Sequence, residues 1–450
     1  MSISVSPNQS RSTFSKPLSF LWVHLISFFG FLSFVTLPTN VLLTKYFGLL
    51  PVKLSGIILA ISVVAVLLLK GQKRTYLRFL IFFAAFGYFV AAFFRLDIVA
   101  IFVESIPVLE FIGAILVFSA INEAKDFRVL VVYLVSCLWV SMFVELAMIT
   151  GVIENPFGSR ASFSGRAISD VGIGRFVTPT HLLAGTCIGV VGYLWLSKRI
   201  PIKTSAFILL PSLVIAGLAS TRLLVVLIFL PILAAAFLRQ NKKNRLRLLG
   251  LSLVIAISPF IVNLLSQTLL PQIEFLSQYI SNFSARFFST FISGDLSETD
   301  SSSFYRSQEV HFATQYVSSH PFFGGGFSAN FMSSPIVADN SFLGLHGNSY
   351  SHNTYLWILI KTGFVGLIIF LAGVGSTLVR RKRTPLSYES HLFLSVLVSL
   401  LIIAFIWNIL ANSPDSTLFG GILGLFISSN RSTGLISSAL VNEGKAEATV

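Results

Sequence analysis

Charge is scarce in this chain. Asp, Glu, Lys and Arg make up only 11% of its 450 residues, against roughly 25% in an ordinary soluble domain. Hydrophobic residues account for 54%, and the mean hydropathy is +0.83. A soluble enzyme is excluded by these figures, and so is a disordered chain, which could not be this apolar. Acidic residues are the scarcer sign, 18 against 32 basic, leaving a net charge of +14. On a soluble protein that excess would suggest nucleic acid. In an apolar chain it first asks on which side of a membrane the charge lies. Cysteine is almost absent: Cys137 and Cys187 both sit in apolar runs and offer neither a disulfide framework nor a zinc spacing. No internal repeat is evident. Phenylalanine, in contrast, is abundant, with 44 residues, a bulky choice suited to helices that face lipid.

A bilayer core of about 30 Å takes roughly 20 apolar residues per helix. Such runs fall near 18–37, 50–69, 77–94, 98–121, 127–149, 178–196, 204–221, 222–238, 248–267, 355–379, 391–411 and 414–429. The predicted fold is therefore an all-α polytopic membrane protein of about 12 transmembrane helices. The first run lacks a small-residue cleavage site and reads as a span, not a signal peptide. With the N-terminus cytoplasmic, the basic clusters 241-NKKNRLR-247 and 380-RRKR-383 fall on the cytoplasmic side with most of the other Lys and Arg. They read as a topology signal under the positive-inside rule, with both termini cytoplasmic and no role in binding nucleic acid.

Three regions follow: helices 1–9 over residues 1–267, a large outer loop over 268–354, and helices 10–12 with a cytoplasmic tail over 355–450. Within the loop, 303-SFYRSQEVHFATQYVSSHPF-322 has helical apolar spacing at Phe304, Val310, Phe312, Ala313, Tyr316 and Val317 up to Pro321. It predicts an amphipathic helix packed on the membrane surface or over the spans. The following 324-GGG-326 allows tight backbone turns.

The loop ends in 351-SHNTYLWILIKTGFVGLIIFL-371. Its pattern, His352-Asn353, nine residues, Gly363, two residues, Gly366, resembles the signature of the bacterial O-antigen ligase and O-antigen polymerase superfamily. Three upstream blocks resemble the same family: 320-HPFFGGGFSANF-331, 219-ASTRLLVVLIFLP-231 and 172-GIGRFVTPTHLLAGT-186. Their order, spacing and sidedness fit, as do the number of runs and the single large outer loop. One departure is visible, because the family's Pro-Asn reads Pro179-Thr180-His181 here. The resemblance implies a GT-C-like architecture in the bacterial inner membrane and a periplasmic active site. It implies transfer of a glycan from an undecaprenyl diphosphate carrier to a second glycan or to the lipid A core. The enzyme would be an O-antigen or exopolysaccharide polymerase, or an O-antigen ligase of lipopolysaccharide biosynthesis, with a slight lean to the polymerase. A flippase and a chain-length regulator are candidate companions. No cofactor and no metal are implied.

The residues can carry that chemistry. A diphosphate leaving group needs cations, and the planar arginine fork bonds phosphate oxygens in pairs. On the outer side stand Arg160, Arg166, Arg175, Arg222 and Arg306. Arg222 is the sharpest candidate, since it lies between two apolar runs with no loop to carry it into solvent. Arg306 could instead pair with Glu309 one turn on. His352 is the candidate base for the attacking hydroxyl, or the group that orients it, since an imidazole titrates near neutrality. Asn353 reads as a capping residue, and Gly363 and Gly366 as close-packing positions between helices. His181 could lie near Arg175, while His311 and His320 read as surface residues. His346 has no carboxylate at ligand spacing. Glu104 and Glu110 flank Pro107, and with Glu145 they lie inside apolar runs. In a polytopic transporter or flippase, the competing function, they would line the path. Otherwise they are neutral, or paired with Arg95 or Lys361, whose amine could also reach the outer surface.

Overall fold

The computed structural model describes residues 16–35, 44–47, 50–70, 75–94, 97–149, 152–153, 178–219, 301–332, 350–378 and 388–430, with short pieces between 228 and 250. The helices are α1 (Lys16–Phe34), α2 (Leu54–Lys70), α3 (Thr75–Phe93), α4 (Ile98–Phe118), α5 (Ala124–Ile149), α6 (His181–Leu196), α7 (Ile202–Ala219), α8 (Ser301–Ser319), α9 (Thr354–Leu378), α10 (Tyr388–Ile403) and α11 (Ser413–Ser429). A short antiparallel hairpin, β1 (Thr44–Phe47) and β2 (Leu50–Lys53), pairs Thr44 with Lys53 just before α2.

Apart from the runs at 222–238 and 248–267, most of which lie outside the described residues, each apolar run coincides with a helix. Helices α4, α5, α7 and α9 are long and apolar enough to cross a membrane, and shorter apolar helices accompany them. Large hydrophobic side chains also cover the outside: Ile61 and Leu67 on α2, Phe82, Phe89 and Phe93 on α3, and Leu213 on α7 are all exposed. Water would penalise so wide an apolar surface, and lipid would not. The chain is thus a helical, multi-pass membrane protein.

Helix α4 runs through the middle. Asp97 caps it by accepting a hydrogen bond from the Val99 amide at 2.9 Å. From Val108 to Phe118 nearly every side chain is buried. Its closest neighbour is α11, where 420-GGILG-424 presents glycines to the α4 backbone. A methyl group at Gly424 would stand 2.9 Å from the Ile115 carbonyl and the Ser119 amide. Small residues four apart let helix backbones approach this closely. Helix α3 packs along α9, and Phe327 wedges between them. The Phe327 ring is fully buried, edge-on to Tyr88 and beside Trp357.

Three expectations change. Helix α10 ends at Ile403, so Ala404–Asn412 forms a non-helical connection to α11 and not the last two turns of a span. In α8 the buried face carries Glu309 and Ala313, whereas Val310 is exposed. Lys361 is fully buried and does not reach a surface.

Candidate functional site

The site begins with a break in a helix. At Gly363 the backbone of α9 takes φ 62° and ψ −167°, which interrupts the ladder of helical hydrogen bonds. The connection after α8 supplies the missing partners. Gly325 and Gly326 donate to the Ile360 and Lys361 carbonyls, both at 2.8 Å. Phe364 and Val365 donate to the Pro321 and Phe322 carbonyls at 2.9 and 3.2 Å. Gly324 and Gly326 also have positive φ, and a side chain at Gly324 would stand 2.6 Å from the Thr362 amide. The Pro321–Gly326 block and Gly363, two separate signatures in the sequence, are thus one interlocked joint. Gly363 is there for its backbone and for the room it leaves Phe322. Gly366 leaves room for the Thr362 side chain on its own helix.

A buried ion pair fastens the joint to α4. The Lys361 ammonium lies 2.9 Å from Glu104 Oε2 and donates to the Ala329 carbonyl at 2.9 Å. Glu104 also accepts from the Ser328 amide. The Ala313, Phe331, Met332 and Ile360 side chains then clamp α8 onto the first half of α9. That first half is therefore held on three sides, and His352 stands just ahead of it.

Asn353 caps α9, its Oδ1 accepting from the Leu356 amide at 3.0 Å. The 404–412 connection grips the same end. Thr354 donates through its amide to the Ala404 carbonyl and through its hydroxyl to the Trp407 carbonyl. Asn408 Nδ2 donates to the Ser351 carbonyl at 2.8 Å, and its Oδ1 accepts from Leu410 and Ala411.

On this platform Glu309 holds His352 with both oxygens. Oε2 lies 2.6 Å from Nδ1, and Oε1 accepts from the His352 amide at 2.5 Å. Glu309 is almost wholly buried, while the His352 side chain keeps 22% of its surface exposed. A carboxylate only accepts, so Nδ1 carries the hydrogen, and in the neutral ring Nε2 then keeps its lone pair. The ring lies edge-on to Tyr350 and Trp407, with centroids at 5.0 and 6.4 Å. Trp407 meets the buried His181 ring on another side at 6.0 Å, and its Nε1 donates to Asp415 at 2.7 Å. Asn412 donates to the same Asp415 oxygen. The first turns of α6, α9 and α11 and the middle of α8 thus converge on one point. A base with one ring nitrogen held by a carboxylate and the other unengaged can take a proton from a hydroxyl presented to it.

Of the sequence candidates, the structure brings His352 and Asn353 together with Gly363 and Gly366 behind them. Arg160, Arg166, Arg175, Arg222 and His346 lie outside the described residues. Arg306 lies on α8 one turn before Glu309, and its side chain is outside the described set. His320 stacks on Tyr316 at 4.6 Å, and His311 is exposed. Glu104 pairs with Lys361, one of the two partners expected for it. Glu145 accepts from Thr178 at 2.7 Å. Sequence reasoning did not assign Glu309, Trp407, Asn408 or Asp415 to the site. The available signal for Glu309 was a carboxylate four residues before Ala313 and seven before Tyr316, on one face of a helix.

Residues 205–371 match the O-antigen ligase family model. The match bears out the resemblance to the O-antigen ligase and polymerase superfamily, and it spans Glu309, His352, Asn353, Lys361 and the whole Gly363 joint. His181, Trp407 and Asp415 lie beyond it. The O-antigen ligase family implies a membrane enzyme of the glycosyl-transfer type, with a lipid-linked glycan as its substrate class. Among curated proteins, none matches the chain.

Proposed function

We propose that the protein transfers a glycan from a polyprenyl diphosphate carrier to an acceptor hydroxyl on the periplasmic side of the inner membrane, with His352 as general base. The observation that carries this reading is the Glu309–His352 pair, which leaves one imidazole nitrogen free at a partly exposed position. The acceptor hydroxyl gives its proton to His352 Nε2 as its oxygen bonds to the anomeric carbon. The bond from that carbon to the diphosphate breaks, and the diphosphate leaves with the electron pair. A single displacement of this kind inverts the anomeric configuration. Glu309 is a positioning residue that also stabilises the imidazolium formed. Arg222, Arg175, Arg166, Arg160 and Arg306 are the proposed cations for the diphosphate. No metal takes part in this scheme.

Polymer extension is the proposed outcome, with the acceptor being a second lipid-linked unit. Reconstituted protein given one lipid-linked donor tests this. A ladder of longer lipid-linked products is expected. A single chain transferred only when lipid A core is added would make the protein a ligase. The transporter reading is less well supported, because Glu104, its first candidate residue, is occupied by Lys361 and by the Ser328 amide.

A further inference from the structure

The outward-facing side chains change chemistry at one level of the molecule, on three neighbouring elements. From His311 to its end, α8 exposes only polar residues: His311, Thr314, Gln315, Ser318 and Ser319. Three residues further on, the Phe322 and Phe323 rings are 66% and 57% exposed. Helix α9 has no exposed side chain from Thr354 to Gly363, and then presents Phe364, Ile368 and Leu371 as one stripe at helical spacing. Helix α3 carries a matching stripe of Phe82, Phe89 and Phe93, shortly before the exposed Asp97. The three changes lie side by side. The Phe94 ring meets His320 and the Phe86 ring meets Phe323, both at 6.1 Å, and the Phe364 amide donates to the Pro321 carbonyl.

This level marks an edge of lipid. The stripes of α3 and α9 belong to the lipid-facing surface, and the Phe322 and Phe323 rings continue it. From His320 to Phe331 there is no Asp, Glu, Lys or Arg. Irregular backbone is tolerated below a membrane surface only where it is buried in protein with its polar groups bonded. Here Pro321 has no amide hydrogen, and Gly324, Gly325 and Gly326 are buried. The His320, Pro321 and Phe322 carbonyls accept from the Gly324, Phe364 and Val365 amides, and Gly325 and Gly326 donate to α9. We propose that the Pro321–Gly326 turn is a membrane anchor, whose Phe322 and Phe323 rings enter the acyl chains of the leaflet nearest His352. Residues 268–354 are then not one loop in water, because lipid holds this turn. The anchor also sets a height. Ten residues separate Thr354 from Phe364 along α9, and ten separate Glu309 from Ser319 along α8, about 15 Å of axis on each helix. Rings about 5–10 Å inside the hydrocarbon edge therefore hold the Glu309–His352 pair among the lipid headgroups, the level of a lipid diphosphate. That use of the height rests on the lipid-linked donor proposed above, and the anchor itself does not.

The test measures depth in proteoliposomes, with no substrate present. Phe322→Cys and Phe323→Cys, with Thr314→Cys and Ser318→Cys on α8 for comparison, each carry a bimane fluorophore on the new thiol. Wild-type protein, whose Cys137 is buried and Cys187 half-buried, supplies the blank. All four substituted positions are exposed, so the changes leave the core packing alone. Doxyl-labelled phosphatidylcholine quenches from within the acyl chains, and iodide quenches from water. Bimane in the two turn variants should be quenched by the doxyl lipid. Its quenching by iodide should be about tenfold or more below that in the two α8 variants, since an ion enters hydrocarbon poorly. Iodide quenching in the turn variants equal to that in Ser318→Cys would overturn the proposal. So would protection from both quenchers, the outcome if a second protein chain covered the patch. The two readings can fail separately. A lipid-shielded turn in protein that transfers no glycan would refute the enzyme reading alone. A water-exposed turn in protein that transfers glycan would refute the anchor alone.

Discussion

Replacing Glu309 with glutamine removes the negative charge and alters almost nothing in size. The consequence follows from the two bonds that the carboxylate accepts. Both donors come from His352, its amide at 2.5 Å and its Nδ1 at 2.6 Å. A glutamine offers one oxygen and one NH₂ group to these two donors. If its oxygen takes the amide, the NH₂ faces Nδ1, which must then accept, and the hydrogen moves to Nε2, where it cannot serve as base. If its oxygen takes Nδ1–H, the partly buried amide faces a donor and loses its bond. The first arrangement abolishes the base, and the second costs about 1–3 kcal/mol for an unsatisfied buried group. A positioned general base contributes about 10²–10⁴-fold to rate, so Glu309→Gln should lower kcat by about that factor and leave KM near the wild-type value. Alanine in its place should do the same. The assay is transfer from a lipid-linked donor in proteoliposomes, with substrate titrated to separate kcat from KM. Unchanged kcat in Glu309→Gln, in protein that melts normally, would refute the positioning of His352 by Glu309.

Other expectations concern the framework. Gly363→Ala places a Cβ at positive φ against the Phe322 carbonyl, so it should destabilise by at least the roughly 1–3 kcal/mol of such backbone strain; thermal melting in detergent measures this. Lys361→Met leaves Glu104 buried without its partner and should cost about 3–5 kcal/mol, and pairing it with Glu104→Leu should recover much of the loss. Gly424→Leu would push α11 off α4, an overpacking cost of about 1–3 kcal/mol visible as a lower Tm. Chelator added to the transfer assay should change nothing, and loss of activity restored by a divalent cation would contradict the metal-free scheme.

The sequence made the apolar helices legible, because hydropathy tests the transfer of side chains to lipid. It was less informative where hydrogen bonding decides. The run 391–411 is predominantly apolar, yet α10 stops at Ile403 because the next residues turn to bond the end of α9. That misreading concealed Trp407 and Asn408. His352 and Asn353 were legible from their spacing to Gly363. The reason for that spacing was not, because Gly363 and Pro321–Gly326 look like independent blocks until the helix break joins them. Glu309 entered the sequence reading only as an alternative partner for Arg306, because Val310 and Phe312 drew the apolar stripe to the wrong side of α8. The partners of Lys361 and His352, Glu104 and Glu309, lie 257 and 43 residues away, and no local pattern names a contact at such distances.

The central claim is that His352 removes the acceptor proton. Transfer by His352→Ala in proteoliposomes supplied with lipid-linked donor measures it most directly, alongside a melting curve to show that the variant is folded. The account predicts a folded protein with transfer reduced by about 10²-fold or more. Transfer at the wild-type rate would contradict it.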